Sequence, residues 1–155
     1  MITKKDAQIL SHLRNNARKK VTHISNDLEI PVTTIYDKIR AHEKRFVKKH
    51  VTLLDFPSLG MHARANLAIR VDKDIKPQLQ SFLMQHPNVN SLSKVNFNSD
   101  FLAEVVFPNM IHIEDFVDSL EKKFKINNIQ VYSIIDDLKK EDFLTKLDHF
   151  ELLNK

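Results

Sequence analysis

The 155-residue chain has no cysteine and a single glycine, Gly60. Without cysteine there are no disulfides and no thiolate metal sites, a composition consistent with a reducing cytoplasm. With one glycine there is no Gly-rich loop whose backbone could approach a phosphate, so Rossmann-type and P-loop nucleotide sites are excluded. Long apolar runs are missing too. None approaches the roughly 20 residues that span a bilayer, and the first residues lack the apolar stretch of a signal peptide. The reading is a soluble cytoplasmic protein. Apolar residues still make up 42% of the chain, enough for a packed core.

Charge is unevenly spread. Residues 1–50 carry 12 Lys/Arg and 5 Asp/Glu, whereas residues 51–155 carry 12 and 15. A basic N-terminal third on a mildly acidic remainder suggests a polyanion-binding module joined to something else.

That basic third reads as three helices. Thr3 and Asp6 have capping-box spacing, and Ile9, Leu10 and Leu13 continue a helix over 4–15. Thr22 can cap a short second helix carrying Ile24 and Leu28. Pro31 disfavours helical geometry at Ile30 and ends it. A third helix starts near Thr33, with Ile35, Ile39, His42 and Phe46 on one stripe. Two short helices around a tight turn form the helix-turn-helix pattern. The outward face of the third helix holds Thr33, Asp37, Arg40 and Lys44, flanked by Thr34, Tyr36 and Ala41. Such a face suits a major groove, with Lys38, Lys44, Arg45, Lys48 and Lys49 near phosphates. It is equally the solvated face of an ordinary three-helix bundle.

A strand at 50–55 and a loop at 56–60 follow. Residues 61–71 alternate as a half-buried strand, 74–86 form a helix, and 89–97 and 101–107 form two strands around Asn98-Ser99. A helix at 110–124 and a strand at 129–135 complete a βαββαβ order, the ferredoxin-like arrangement with both helices on one sheet face. The bare face favours a second copy of the chain as partner. Residues 140–153 read as an amphipathic helix, packed either on this chain or on a neighbouring subunit.

The segments Asp6-x-x-Ile9-Leu10-x-x-Leu13-x-x-Asn16-Ala17-Arg18, Ile35-x-x-x-Ile39 with Glu43 and Val47, and Leu54-Asp55-x-x-x-Leu59-Gly60 occur in the order found in the leucine-responsive (Lrp/AsnC) regulators, which this chain resembles over about 2–138. Asp100 matches the acidic residue ending that family's turn between strands 2 and 3. The resemblance implies an α+β protein. A helix-turn-helix domain of winged-helix type would occupy 1–50, a hinge strand and linker 51–60, a ferredoxin-like dimerisation and effector domain 61–138, and a C-terminal helix 139–155. It implies binding of double-stranded promoter DNA by a homo-oligomer (dimer, tetramer or octamer) without a cofactor. The residues expected at DNA are Thr22, Thr33, Thr34, Tyr36, Asp37, Lys38, Arg40, Lys44, Lys48 and Lys49.

Three departures stand out. Glu29 and Phe46 occupy positions where the family has glycine. The family's Gly-x-x-Asp turn, where an amino-acid effector binds, here reads Phe97-Asn98-Ser99-Asp100. A phenylalanine there would intrude on the pocket or fill it, so an amino-acid effector is not the expectation, although 97–100 is where one would bind.

Sharper chemistry finds little support. The eight histidines show no i,i+4 pair, Asp136-Asp137 reads as a solvated turn, and no G-x-S-x-G nucleophile motif is present. An enzyme is not expected. The surviving classes are a sequence-specific regulator, an architectural DNA-bridging protein, and a ligand-sensing protein that has lost DNA binding.

Overall fold

A computed structural model describes residues 2–154; Met1 and Lys155, the outermost residues of the expected terminal segments, lie outside the described residues. The chain divides into two compact units, one comprising Met1–Leu53 with Leu138–Lys155 and the other Leu54–Asp137. No helix among the described residues is long and apolar enough to cross a membrane.

The first unit holds α1 (Lys4–Asn15), α2 (Val21–Leu28) and α3 (Val32–Arg45). The capping box opens α1 as expected. The Thr3 hydroxyl accepts from the Asp6 N–H, and the Asp6 carboxylate accepts from the Thr3 N–H. Ile9, Ile24, Ile30 and Ile35 close the helices on one core, with Leu13, Val21, Leu28 and Ile39 packed around it. Burying each such aliphatic side chain contributes about 1.5–3 kcal/mol. Thr22 does not cap α2. Lys20 is the cap residue and Thr22 lies inside the first turn. Phe46, where the family has glycine, ends α3 with φ −117°, so no left-handed residue is needed there.

The C-terminal segment belongs to this same unit. It forms a 3-10 helix over Leu147–Asn154 in place of the expected α-helix over 140–153. Leu144 is buried beside Ala7 and Leu10 of α1, with Val47, Phe150 and Leu153 around them. Polar bonds fix the segment along α1. Ser11 Oγ and Asn15 Nδ2 donate to the Thr145 carbonyl, and the Arg14 guanidinium donates to the carbonyls of Glu141 and Phe143 and to the Glu141 carboxylate. Glu141 and Leu144 sit at φ 53° and 64°, left-handed values that a right-handed α-helix over this segment excludes. Replacing Leu144 by Ala is expected to destabilise the unit by about 2–4 kcal/mol, measurable as an earlier urea transition with unchanged helix content beforehand.

The second unit follows the βαββαβ order: β1 (Ala63–Val71), α4 (Lys76–Gln85), β2 (Val89–Lys94), β3 (Phe101–Phe107), α5 (Met110–Lys123) and β4 (Ile126–Ser133). Neighbouring strands run antiparallel in the order β2-β3-β1-β4. Ala63, Ala65, Leu67, Ile69 and Val71 alternate onto the face covered by Leu79 and Leu83 of α4 and Ile113, Phe116 and Leu120 of α5. On the other face, Arg64 pairs with Glu104 at 3.0 Å and with Asp137 at 2.6 Å.

Three expected strands are corrected; β4 covers Ile126–Ser133 rather than 129–135. Residues 50–55 form no strand. Val51, Leu53 and Leu54 are exposed there, and no strand among the described residues pairs with them. β2 stops at Lys94 rather than 97, because the Val95 N–H turns to the Asp100 carbonyl and closes the hairpin end. Gly60 follows the 3-10 turn Pro57–Leu59 at φ +80°, a left-handed conformation that glycine adopts without the Cβ penalty.

Candidate nucleic-acid interface

The turn between α2 and α3 presents α3 to solvent. Glu29 closes α2 in the left-handed region (φ 53°, ψ 42°), where an L side chain is strained. Ser25, a buried residue that the sequence reading passed over, offsets that strain. Its hydroxyl donates to the Ile30 carbonyl at 2.5 Å, and its own carbonyl accepts the Ile30 N–H at 3.1 Å. Pro31 then caps α3 in an extended conformation. Glu29→Gly is expected to raise stability by about 1 kcal/mol, read as a higher midpoint in thermal unfolding.

Ile35 and His42 turn α3 inward. Thr33, Thr34, Tyr36, Asp37, Arg40, Lys44, Lys48 and Lys49 are exposed, as is Thr22 on α2. Tyr36 and Arg40 form a pair on this face, the guanidinium carbon 4.9 Å from the ring centre, which restricts Arg40 before any ligand arrives. Arg45 lies likewise over Phe46 at 5.0 Å. Arg18 and Lys20, before α2, are also exposed. They add positive charge beside Thr22, and the sequence reading missed them although the run Arg18-Lys19-Lys20 is visible. Lys19 between them is engaged with Asp27 at 2.6 Å and His12 at 3.0 Å.

Lys38 stands apart. Its ammonium donates to Asp6 Oδ1 at 2.7 Å, joining α3 to the first turn of α1. His42 Nε2 lies 3.1 Å from the same oxygen. His42 is 3% exposed, and its Nδ1 is buried without a hydrogen-bond partner. Burial alone would raise the Asp6 carboxyl; hydrogen bonds from Lys38, Thr3 and His42 outweigh it and hold the group well below the ordinary carboxylate range.

In the second unit, Phe97 is 92% exposed in this chain and sits at φ 66°. Asp100 is committed to structure, with its carboxylate accepting from the Val71 N–H at 3.0 Å and from Lys76 at 2.6 Å. These bonds lower its pKa, that of Lys76 most. Asn98 lines a polar hollow with Arg70, Asn127, Asn128 and Gln130. Ser99 lies in the turn between β2 and β3.

No family model matches the chain. An uncharacterized HTH-type transcriptional regulator of Pyrococcus horikoshii is 32% identical over 75 residues, which is 48% of this chain and half the length of that relative. Among solved structures, a transcriptional regulator of Neisseria meningitidis, in complex with L-Met, superposes with a TM-score of 0.82 at 19% identity, covering 90% of this chain and 94% of that one. An AsnC family regulator of Agrobacterium tumefaciens gives 0.79 at 17% identity, covering 90% and 94%. The chain has the fold of the Lrp/AsnC transcription regulators, the family its sequence motifs resemble.

Proposed function

We propose that the protein is a sequence-specific DNA-binding transcription regulator of the Lrp/AsnC type, acting on duplex DNA as a dimer or higher oligomer. The observation that carries this reading is the outward face of α3, which is polar, basic at its C-terminal end and held clear of the core by a tight turn. The names of similar proteins support it. Arg40, Thr33, Tyr36 and Asp37 read base edges: arginine suits guanine, and the Asp37 carboxylate accepts from cytosine N4. Lys44, Lys48, Lys49 and Thr34 hold phosphates, with Thr22 at the start of α2. Two heads of a dimer read half-sites about one helical turn apart. The sheet face bearing Arg64 and Asn66, opposite the helices, is the surface that a second copy covers. Catalysis has no part in this reading, and the work is done in the cytoplasm.

Arg40→Ala is expected to cost about 1–3 kcal/mol on the selected site and to relax preference at one base position, measured by titration against single-base variants of that site. Unchanged affinity with unchanged preference removes Arg40 from the reading set.

A further inference from the structure

Resting on that DNA-binding reading, we propose that Asp6 is a positioning residue that keeps Lys38 off the DNA, so that the phosphate-binding set excludes Lys38. Lys38 lies on α3, the helix that carries the reading face, and is positively charged like Arg40 and Lys44. Yet its ammonium is already 2.7 Å from a carboxylate that is itself only 13% exposed.

That carboxylate is a strong competitor for the lysine because it is fixed in place. One oxygen accepts from the N–H and hydroxyl of Thr3, the other from Lys38 and His42. The capping box that starts α1 therefore also orients the acceptor that holds α3. A phosphate would have to displace a preorganised partner to capture Lys38, whereas Lys44, Lys48 and Lys49 are exposed and have no carboxylate within ion-pair distance among the described residues.

The pair has one consequence for binding. It spends a charge that non-specific DNA would otherwise use, since each phosphate neutralised contributes about 0.9 to the salt slope whatever the sequence.

The test is the dependence of duplex affinity on salt for four proteins: the wild-type chain, Lys38→Met, Asp6→Asn and the double variant, each checked for helix content. Asparagine keeps the shape and the capping oxygen of residue 6 but releases the lysine. Lys38→Met is expected to leave the slope and affinity unchanged. Asp6→Asn is expected to steepen the slope by about 0.9 and tighten binding roughly tenfold at about 50 mM salt, and adding Lys38→Met is expected to cancel the gain. Should Asp6→Asn not fold, Lys38→Met alone decides. A slope that falls by about 0.9 in Lys38→Met overturns the inference and leaves DNA binding intact. No duplex binding by the folded wild-type chain at low salt overturns the DNA reading and the inference together.

Discussion

Replacing Lys44, Lys48 and Lys49 together by alanine is expected to weaken duplex binding on the order of a thousandfold at about 50 mM salt, equally for all sequences, and to lower the salt slope by about 2.7. Each lysine that neutralises a phosphate releases counterion, and that release is worth most when bulk salt is dilute. The three side chains are exposed where α3 ends and just beyond it, and none belongs to a core cluster. The loss should therefore leave folding untouched. Fluorescence titration of a labelled duplex at several salt concentrations, beside circular dichroism, checks both halves. A loss that depends on sequence would assign these lysines to base reading instead.

Replacing Asp6 by Ala is expected to destabilise the N-terminal unit by about 2–4 kcal/mol. The reciprocal half of the capping box, lost while Thr3 still caps the residue-6 N–H, accounts for roughly 1 kcal/mol. Most of the remainder comes from His42, which would have no partner at either ring nitrogen while buried, at about 1–3 kcal/mol. Lys38, part-exposed, recovers water and adds little. The same carboxylate sets an acid limit. Its pKa in the folded chain is depressed below the ordinary 3.8, so its stabilisation is complete above that value and is lost as pH falls below about 4 toward the folded pKa. In urea unfolding, the wild-type chain should weaken across that window more steeply than the Asp6→Ala variant. Parallel curves would separate Asp6 from the acid limit.

Periodicity revealed most of the architecture because burial and secondary structure repeat locally. Ala65, Leu67 and Ile69 alternate, Ile35, Ile39 and His42 recur by helical turn, and Thr3 with Asp6 marks a helix start. Each of these signals spans fewer than ten residues. The features that escaped depend on partners distant along the chain. Lys38 reads as one basic residue among several until Asp6, 32 positions away, is seen beside it. On the helical wheel Lys38 already lies next to His42, toward the core edge, which was the available clue. The 140–153 segment reads as an amphipathic helix with its partner left open; the place of Leu144 against Ala7 and Leu10 is set by tertiary packing. The left-handed backbone at Phe97 (φ 66°), which leaves its ring exposed in this chain, gives no local signal because the residue there is not glycine. The exposed 50–55 segment reads as a strand but, spanning the boundary of the two units, pairs with no strand among the described residues.

The central claim is that α3 reads sequence. Its most direct measurement is a competition experiment, in which purified protein bound to a duplex recovered by binding-site selection is challenged with random duplex at about 100 mM salt. The account predicts a preference of about a thousandfold or more for the selected site. Equal competition by random DNA would instead mark an architectural DNA-bridging protein, and failure to bind either duplex would contradict a role in DNA recognition altogether.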